Sequence, residues 1–164
     1  LWSEEKARET ILSVLPMVDF FFVSEESSRR MFGMTGTHEE IQEQFAKEYP
    51  NLRMIASTKR KVITSTRQSF NSLVYDCESG EHFIDAPYDN IDVVDRIGSG
   101  DAYVAGALYG ALKYGDIHSA ARYGDAMASV KNTVIGDMTE VDIVDIDRVI
   151  KNHTTTGPKS EMVR

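Results

Sequence analysis

Gly98-Ser99-Gly100-Asp101 is the place in this 164-residue chain where residue types and spacing together suggest chemistry. Two glycines one residue apart allow a backbone curl that few other residues adopt. Behind them runs a helix-spaced series of small and apolar residues: Ala102, Ala105, Gly106, Leu108, Tyr109 and Leu112. A glycine turn that opens a helix aims several N–H groups and the positive end of the helix dipole at one spot, here beside the Asp101 carboxylate. Such a spot can hold a phosphate next to a general base. Taken alone, the pattern also fits a plain loop-to-helix connection with an acidic cap. The lysine of a P-loop is missing, and Tyr103 stands where the dinucleotide fingerprint has its third glycine. A phosphate site of this kind must work with backbone amides, aided by magnesium or another cation.

The elements that must position this turn can be read around it. Ser3 followed by Glu4 and Glu5, with Ala7, Ile11, Leu12 and Leu15 behind, predicts a capped amphipathic helix. Met17 to Val23 is a nearly continuous apolar run, as in a strand buried on both faces. Ser24 can cap a helix that carries Glu25 and Glu26 in its first turn and ends at Gly33. Thr37 with Glu40 forms a capping box for a helix with Ile41, Phe45 and Tyr49 inward, stopped by Pro50. Leu52 to Ala56 reads as a second buried strand. Phe70–Asp76 and His82–Ala86 alternate around Glu78-Ser79-Gly80 and predict a hairpin. After the glycine turn come a helix from about Asp101 to Lys113, a helix capped by Asp116, and a short last helix near Asp145. The tail from Thr154 is polar and expected to be mobile. Helices alternating with buried strands imply an α/β sheet, mostly parallel, with helices on both faces and the hairpin at one edge.

Composition bounds the function. Hydrophobic content of 41% and charged content of 27% suit a globular domain, and 164 residues can bury a real core. A net charge of −8 and a pI near 5.0 argue against nucleic acid as a partner. The longest apolar run, Val14 to Val23, is broken by Pro16 and Asp19, so no membrane span is expected. A single cysteine, Cys77, excludes an internal disulfide, and no signal peptide is visible, so a reducing cytoplasm is the expected compartment. His38, His82, His118 and His153 lack metal-ligand spacing. The opening Leu1-Trp2-Ser3, without a starting Met and already entering a helix, suggests a fragment.

The segment VDRIGSGDAYVAGALYG, Val94 to Gly110, resembles the signature of the ribokinase-like (PfkB) carbohydrate kinases, in which D-x-x-G-x-G-D opens a small-residue helix. Within that family it is most similar to the 2-keto-3-deoxygluconate kinase group, where Arg96 in place of threonine recurs. Lys131 to Asp137 resembles the group's segment after the penultimate helix, and Ser57 to Val62 its nucleotide-side strand end. The resemblance covers only the C-terminal half of such an enzyme. It implies a three-layer α/β/α ribokinase-like fold, with residues 1–153 as the nucleotide-binding part and 154–164 as a tail.

The resemblance also implies roles. Asp101 matches the catalytic base, and Gly98, Ser99 and Gly100 match the anion hole for the transferring phosphoryl group. Thr58 and Arg60 match the border of the ATP phosphates and ribose, and Asn132 a residue beside the adenine. Asp95 matches a position near a monovalent cation site. Ser24 and Ser27 stand where many members carry the Asn and Glu of an Asn-x-x-Glu motif that organises magnesium-bound water. Ser24 stays among the expected nucleotide contacts. The implied cofactors are ATP and Mg²⁺ with a monovalent cation, and the implied substrate is a sugar acid such as 2-keto-3-deoxygluconate. A homo-oligomer stays open for the full-length protein, because the family's dimer contacts come largely from a lid absent here. Two other readings remain: a non-catalytic domain that folds and binds nucleotide without turnover, and a dinucleotide-binding oxidoreductase, which the missing third glycine disfavours.

Overall fold

The computed structural model describes residues 3–154. In chain order these form α1 (Glu4–Val14) with a 3-10 turn (Leu15–Met17), β1 (Phe20–Phe22), α2 (Glu25–Phe32), α3 (His38–Glu48), β2 (Met54–Thr64), β3 (Arg67–Asp76), β4 (His82–Ile84), β5 (Tyr88–Asp92), α4 (Ser99–Tyr114), α5 (Ile117–Asn132) and α6 (Ile143–Thr154). The expected tail lies, except for Thr154 at the end of α6, outside the described residues.

Local chemistry starts the helices where the sequence predicts. Ser3, Ser24, Thr37 and Asp116 each accept an N–H from the first turn, Thr37 and Glu40 complete a capping box, and Gly33 closes α2 in the left-handed conformation. The first strand is shorter than expected. Met17 belongs to the 3-10 turn, which Pro16 favours, and is exposed.

The sheet runs β1-β2-β3, with β4 and β5 sharing the far edge of β3. β1 and β2 are parallel, Phe21 opposite Ile55, because the α2–α3 crossover returns the chain to the same end. The other three pairings are antiparallel. The parallel character expected of the sheet is thus confined, among the described residues, to one pair. Short connections force the rest: β2 turns into β3 over two residues, a hairpin the sequence reading did not foresee because Ser57–Thr64 is polar. The predicted β3–β4 hairpin is present, with Val74 opposite Phe83.

Alternation along the strands divides the core into two layers. Met54, Ala56, Phe70 and Val74 face α4 and α5, where they meet Tyr103, Ala107, Ala120, Ala121 and Ala128. Ile55 and Tyr75 face α3 with Ile41, Phe45 and Leu52. β1 shows why its apolar run is continuous: Phe22 stands edge-on to Tyr103 at 6.1 Å, while Phe21 turns the other way onto Phe45 at 5.3 Å. Packing chooses the inner face of α4. Tyr103, Gly106, Ala107 and Gly110 are buried, whereas Leu112 is 72% exposed. Apolar residues surround α4, so period alone could not choose its inner side. Cβ atoms at Gly106 and Gly110 would overlap the α5 carbonyls of Tyr123 and Ser119, so these two glycines set the close approach of the helices.

Candidate active site

The glycine turn lies between β5 and α4. Gly98 is the N-cap of α4 with φ at +79°, and a Cβ there would overlap the carbonyl of Asp137. Conformation and space both require glycine at this position. Gly100 has nothing within 4 Å of where its Cβ would be, so its missing side chain leaves the front of the helix open. The Ser99 N–H donates to Arg96 O at 3.2 Å and the Ala102 N–H to Gly98 O at 2.9 Å. Among the described residues the N–H groups of Gly98, Gly100 and Asp101 have no acceptor. Asp101 is exposed on the first turn, and no hydrogen bond or ion pair engages its carboxylate among the described residues. The arrangement is a set of unpaired donors at a helix N-terminus, beside one free carboxylate.

Several contacts hold the turn in place. Val94 and Asp95 donate their N–H groups to Asn132 O at 2.8 and 3.3 Å, tying the strand exit to the end of α5. The Asp95 carboxylate accepts from the Ile97 N–H at 3.0 Å and the Gly136 N–H at 3.1 Å. These two bonds, with the Lys131 charge, hold it below the usual carboxylate range. Arg96 reaches Gln68 Oε1 and Ser65 O, both at 3.3 Å, so the arginine braces the turn against the β2–β3 hairpin.

A cleft of about 200 Å³ opens in front of the turn, outside the carboxyl end of β1. Ser24, Thr58 and Gly100 line it together with Ala56 and Val104. Crevices at the strand ends of α/β sheets are where such folds bind ligands. Two of the expected nucleotide contacts thus line one cleft with a residue of the expected anion hole. The Ser24 hydroxyl is already engaged: it accepts from the Ser27 N–H at 3.0 Å and donates to Ser27 Oγ at 2.9 Å.

Two expected nucleotide contacts fall elsewhere. Arg60 lines a separate groove of about 290 Å³ with Lys59, Lys61, Ser69 and Asp89, on the outer half of the hairpin. Asn132 is 0% exposed, its Nδ2 donating to Ala128 O at 2.7 Å, so its side chain does not reach the cleft. Its carbonyl binds the turn instead, which makes it part of the frame. Among the described residues no group of three His, Cys, Asp or Glu could hold a metal ion. Burial pushes the Cys77 thiol up to about 11, the wrong direction for a nucleophile.

Other groups escaped the sequence reading. Lys131 is 0% exposed beneath the turn. Asp125, on α5, is buried near Ser72 and Tyr103, and burial pushes its carboxyl up to about 7. A polar residue inside an alanine-rich helix was the only local signal for either.

With this geometry in view, comparison with known proteins defines the class. The profile described as pfkB family carbohydrate kinase matches residues 1–143, and the chain belongs to that family. Its particular relatives are narrower. The chain is 27% identical over 151 residues to 2-dehydro-3-deoxygalactonokinase of Haloferax volcanii, covering 92% of this chain and 44% of that protein. It matches the crystal structure of 2-dehydro-3-deoxygluconokinase from Thermotoga maritima with a TM-score of 0.84 and 25% identity, over 92% of this chain and 46% of that one. A PfkB family carbohydrate kinase from Listeria grayi matches with the same TM-score, 26% identity, and 92% and 47% coverage. The ribokinase-like α/β fold is thereby shown, and the chain spans about half the length of the relatives it matches. No helix among the described residues is long and apolar enough to cross a membrane.

Proposed function

We propose that this chain is the nucleotide-side half of an ATP-dependent kinase whose acceptor is a hydroxyl of a keto-deoxy sugar acid of the 2-keto-3-deoxygluconate class. The observation that carries this reading is the turn itself. Unpaired N–H groups at the start of a 16-residue helix stand beside an unpaired Asp101, and Gly100 of that turn lines the cleft with Ser24 and Thr58. The names of the Haloferax and Thermotoga relatives support the acceptor class.

In this reading the unpaired Gly98 and Gly100 amides and the α4 dipole receive the negative charge of the transferring phosphoryl group, while the Ser99 N–H, which donates to Arg96 O, shapes the turn. Asp101 orients the acceptor hydroxyl. As that oxygen bonds to the γ-phosphorus and the bond to the β-bridging oxygen breaks, Asp101 takes the hydroxyl proton and ADP leaves. Phosphoryl transfer through a loose transition state needs the proton removed late, so placement of Asp101 matters more than its basicity. Thr58 and the engaged Ser24 form the wall against which the triphosphate lies. Magnesium enters with the triphosphate as part of the substrate, since it is held largely by phosphate oxygens in such sites. The cytoplasm, where ATP is supplied, suits this chemistry.

A second reading is a nucleotide-binding domain without turnover. Calorimetry with MgATP and an ADP-release assay with 2-keto-3-deoxygluconate separate the two: release supports the kinase, and binding without release the domain. Asp101→Asn should leave MgATP affinity within about threefold while costing about 10²–10⁴ in turnover. Undiminished turnover in that variant would remove Asp101 as the base.

A further inference from the structure

Lys131 stands in the last turn of α5 with its side chain 0% exposed. An ammonium buried without compensation is costly, so its partners must explain it. Its Nζ donates to Asp95 O at 3.2 Å and to Val134 O at 3.1 Å, two backbone carbonyls rather than carboxylates. The α5 C-terminus, where carbonyl dipoles point outward, favours a positive charge at this position. The Asp95 carboxylate feels it as well.

The two carbonyls belong to different walls of the glycine turn. Asp95 begins the segment that becomes α4. Val134 begins the loop whose Gly136 N–H donates to Asp95 Oδ2 at 3.1 Å and whose Asp137 carbonyl seats against Gly98. One ammonium therefore ties the turn to the loop behind it.

A monovalent cation near Asp95 would need these same oxygens. Each Asp95 carboxylate oxygen already accepts one N–H, and the carbonyls of Asp95 and Val134 both point at the Lys131 ammonium, whose charge opposes a second cation against the same oxygens. The residues present do not fit a bound ion.

We infer that Lys131 is a built-in cation: a positioning residue whose ammonium fills the place of a monovalent ion and fixes the Gly98–Gly100 turn without one. Its meaning for phosphate binding rests on the proposed anion hole, but the tether can be tested without nucleotide. The 164-residue chain is melted in potassium, sodium and tetramethylammonium chloride at equal ionic strength, with amide exchange followed over residues 95–101. The wild-type chain should melt alike in all three salts. Lys131→Ala should exchange about tenfold faster over 95–101, and propylammonium or potassium should slow it saturably where tetramethylammonium does not. A saturable potassium gain in the wild-type chain overturns the inference. So does an alanine variant whose exchange is unchanged, or one that the salts restore equally or not at all. If Lys131→Ala does not fold, the wild-type comparison decides alone, with indifference to the three salts supporting the tether. Failure of the chain to bind MgATP in any salt counts against the kinase reading and leaves the exchange result standing.

Discussion

Asp125→Asn should make the protein more stable, and increasingly so as the pH rises. Asp125 is 1% exposed on α5, and neither carboxylate oxygen completes a hydrogen bond among the described residues. Burial raises its pKa to about 7 from 3.8, with Ser72 pulling the other way and the Asp85 charge adding a little. Burial pushes the Tyr103 and Tyr88 phenols upward, and the Asp125 charge adds to both shifts. The native state therefore holds a proton that the unfolded chain releases between about pH 4 and pH 7. Stability from this group is complete below the unfolded pKa and falls as pH rises toward 7. The full cost of ionisation is about 4 kcal/mol, from roughly three pKa units at 1.36 kcal/mol each. About 2.5 kcal/mol of it develops between pH 5 and pH 8. Asparagine keeps the shape, loses the charge and meets hydroxyls that can donate or accept. Urea unfolding of both proteins at pH 5 and pH 8 isolates the effect, because other titrations cancel in the difference. The advantage of the variant should grow by about 2.5 kcal/mol over that interval. A difference independent of pH would refute the assignment of a protonated, buried Asp125.

Gly98→Ala meets both a left-handed φ and the Asp137 carbonyl, so it should cost more than the ~1–2 kcal/mol of left-handed strain alone. Calorimetry should find nucleotide affinity lost at least about tenfold, while Gly115→Ala, also at positive φ but with open space, should leave affinity unchanged. Phe45→Ala, at the centre of the Phe21–Phe32–Phe45 cluster, should lower unfolding free energy by about 3–5 kcal/mol without altering the cleft on the opposite face. Denaturant titration together with nucleotide binding checks that separation.

Much of the site was legible because it depends on residues close in sequence. Caps at Ser3, Ser24, Thr37 and Asp116 act within four residues, and so does the Gly98 turn that opens α4. Thr58 and Gly100 were placed together by resemblance, and they do share a cleft. Asn132 is 0% exposed and Arg60 lines a separate groove, and neither placement follows from the sequence around it, because each depends on how α5 and the β2–β3 hairpin are set in the fold. The inner face of α4 was ambiguous because alanine and glycine satisfy almost any face until α5 arrives.

By itself, the sequence carried the resemblance to the family, and it determined the capped helix starts and the presence of a donor-lined turn beside Asp101, since caps and turn follow from short-range sterics and hydrogen bonding. The tertiary structure alone decided which polar groups are withdrawn from water. Lys131 and Asp125 look like ordinary charged positions on a helix, yet packing of α5 against the sheet and the turn makes one a tether and the other a proton holder. Desolvation is a property of the assembled layers, and no window of sequence around either residue contains it.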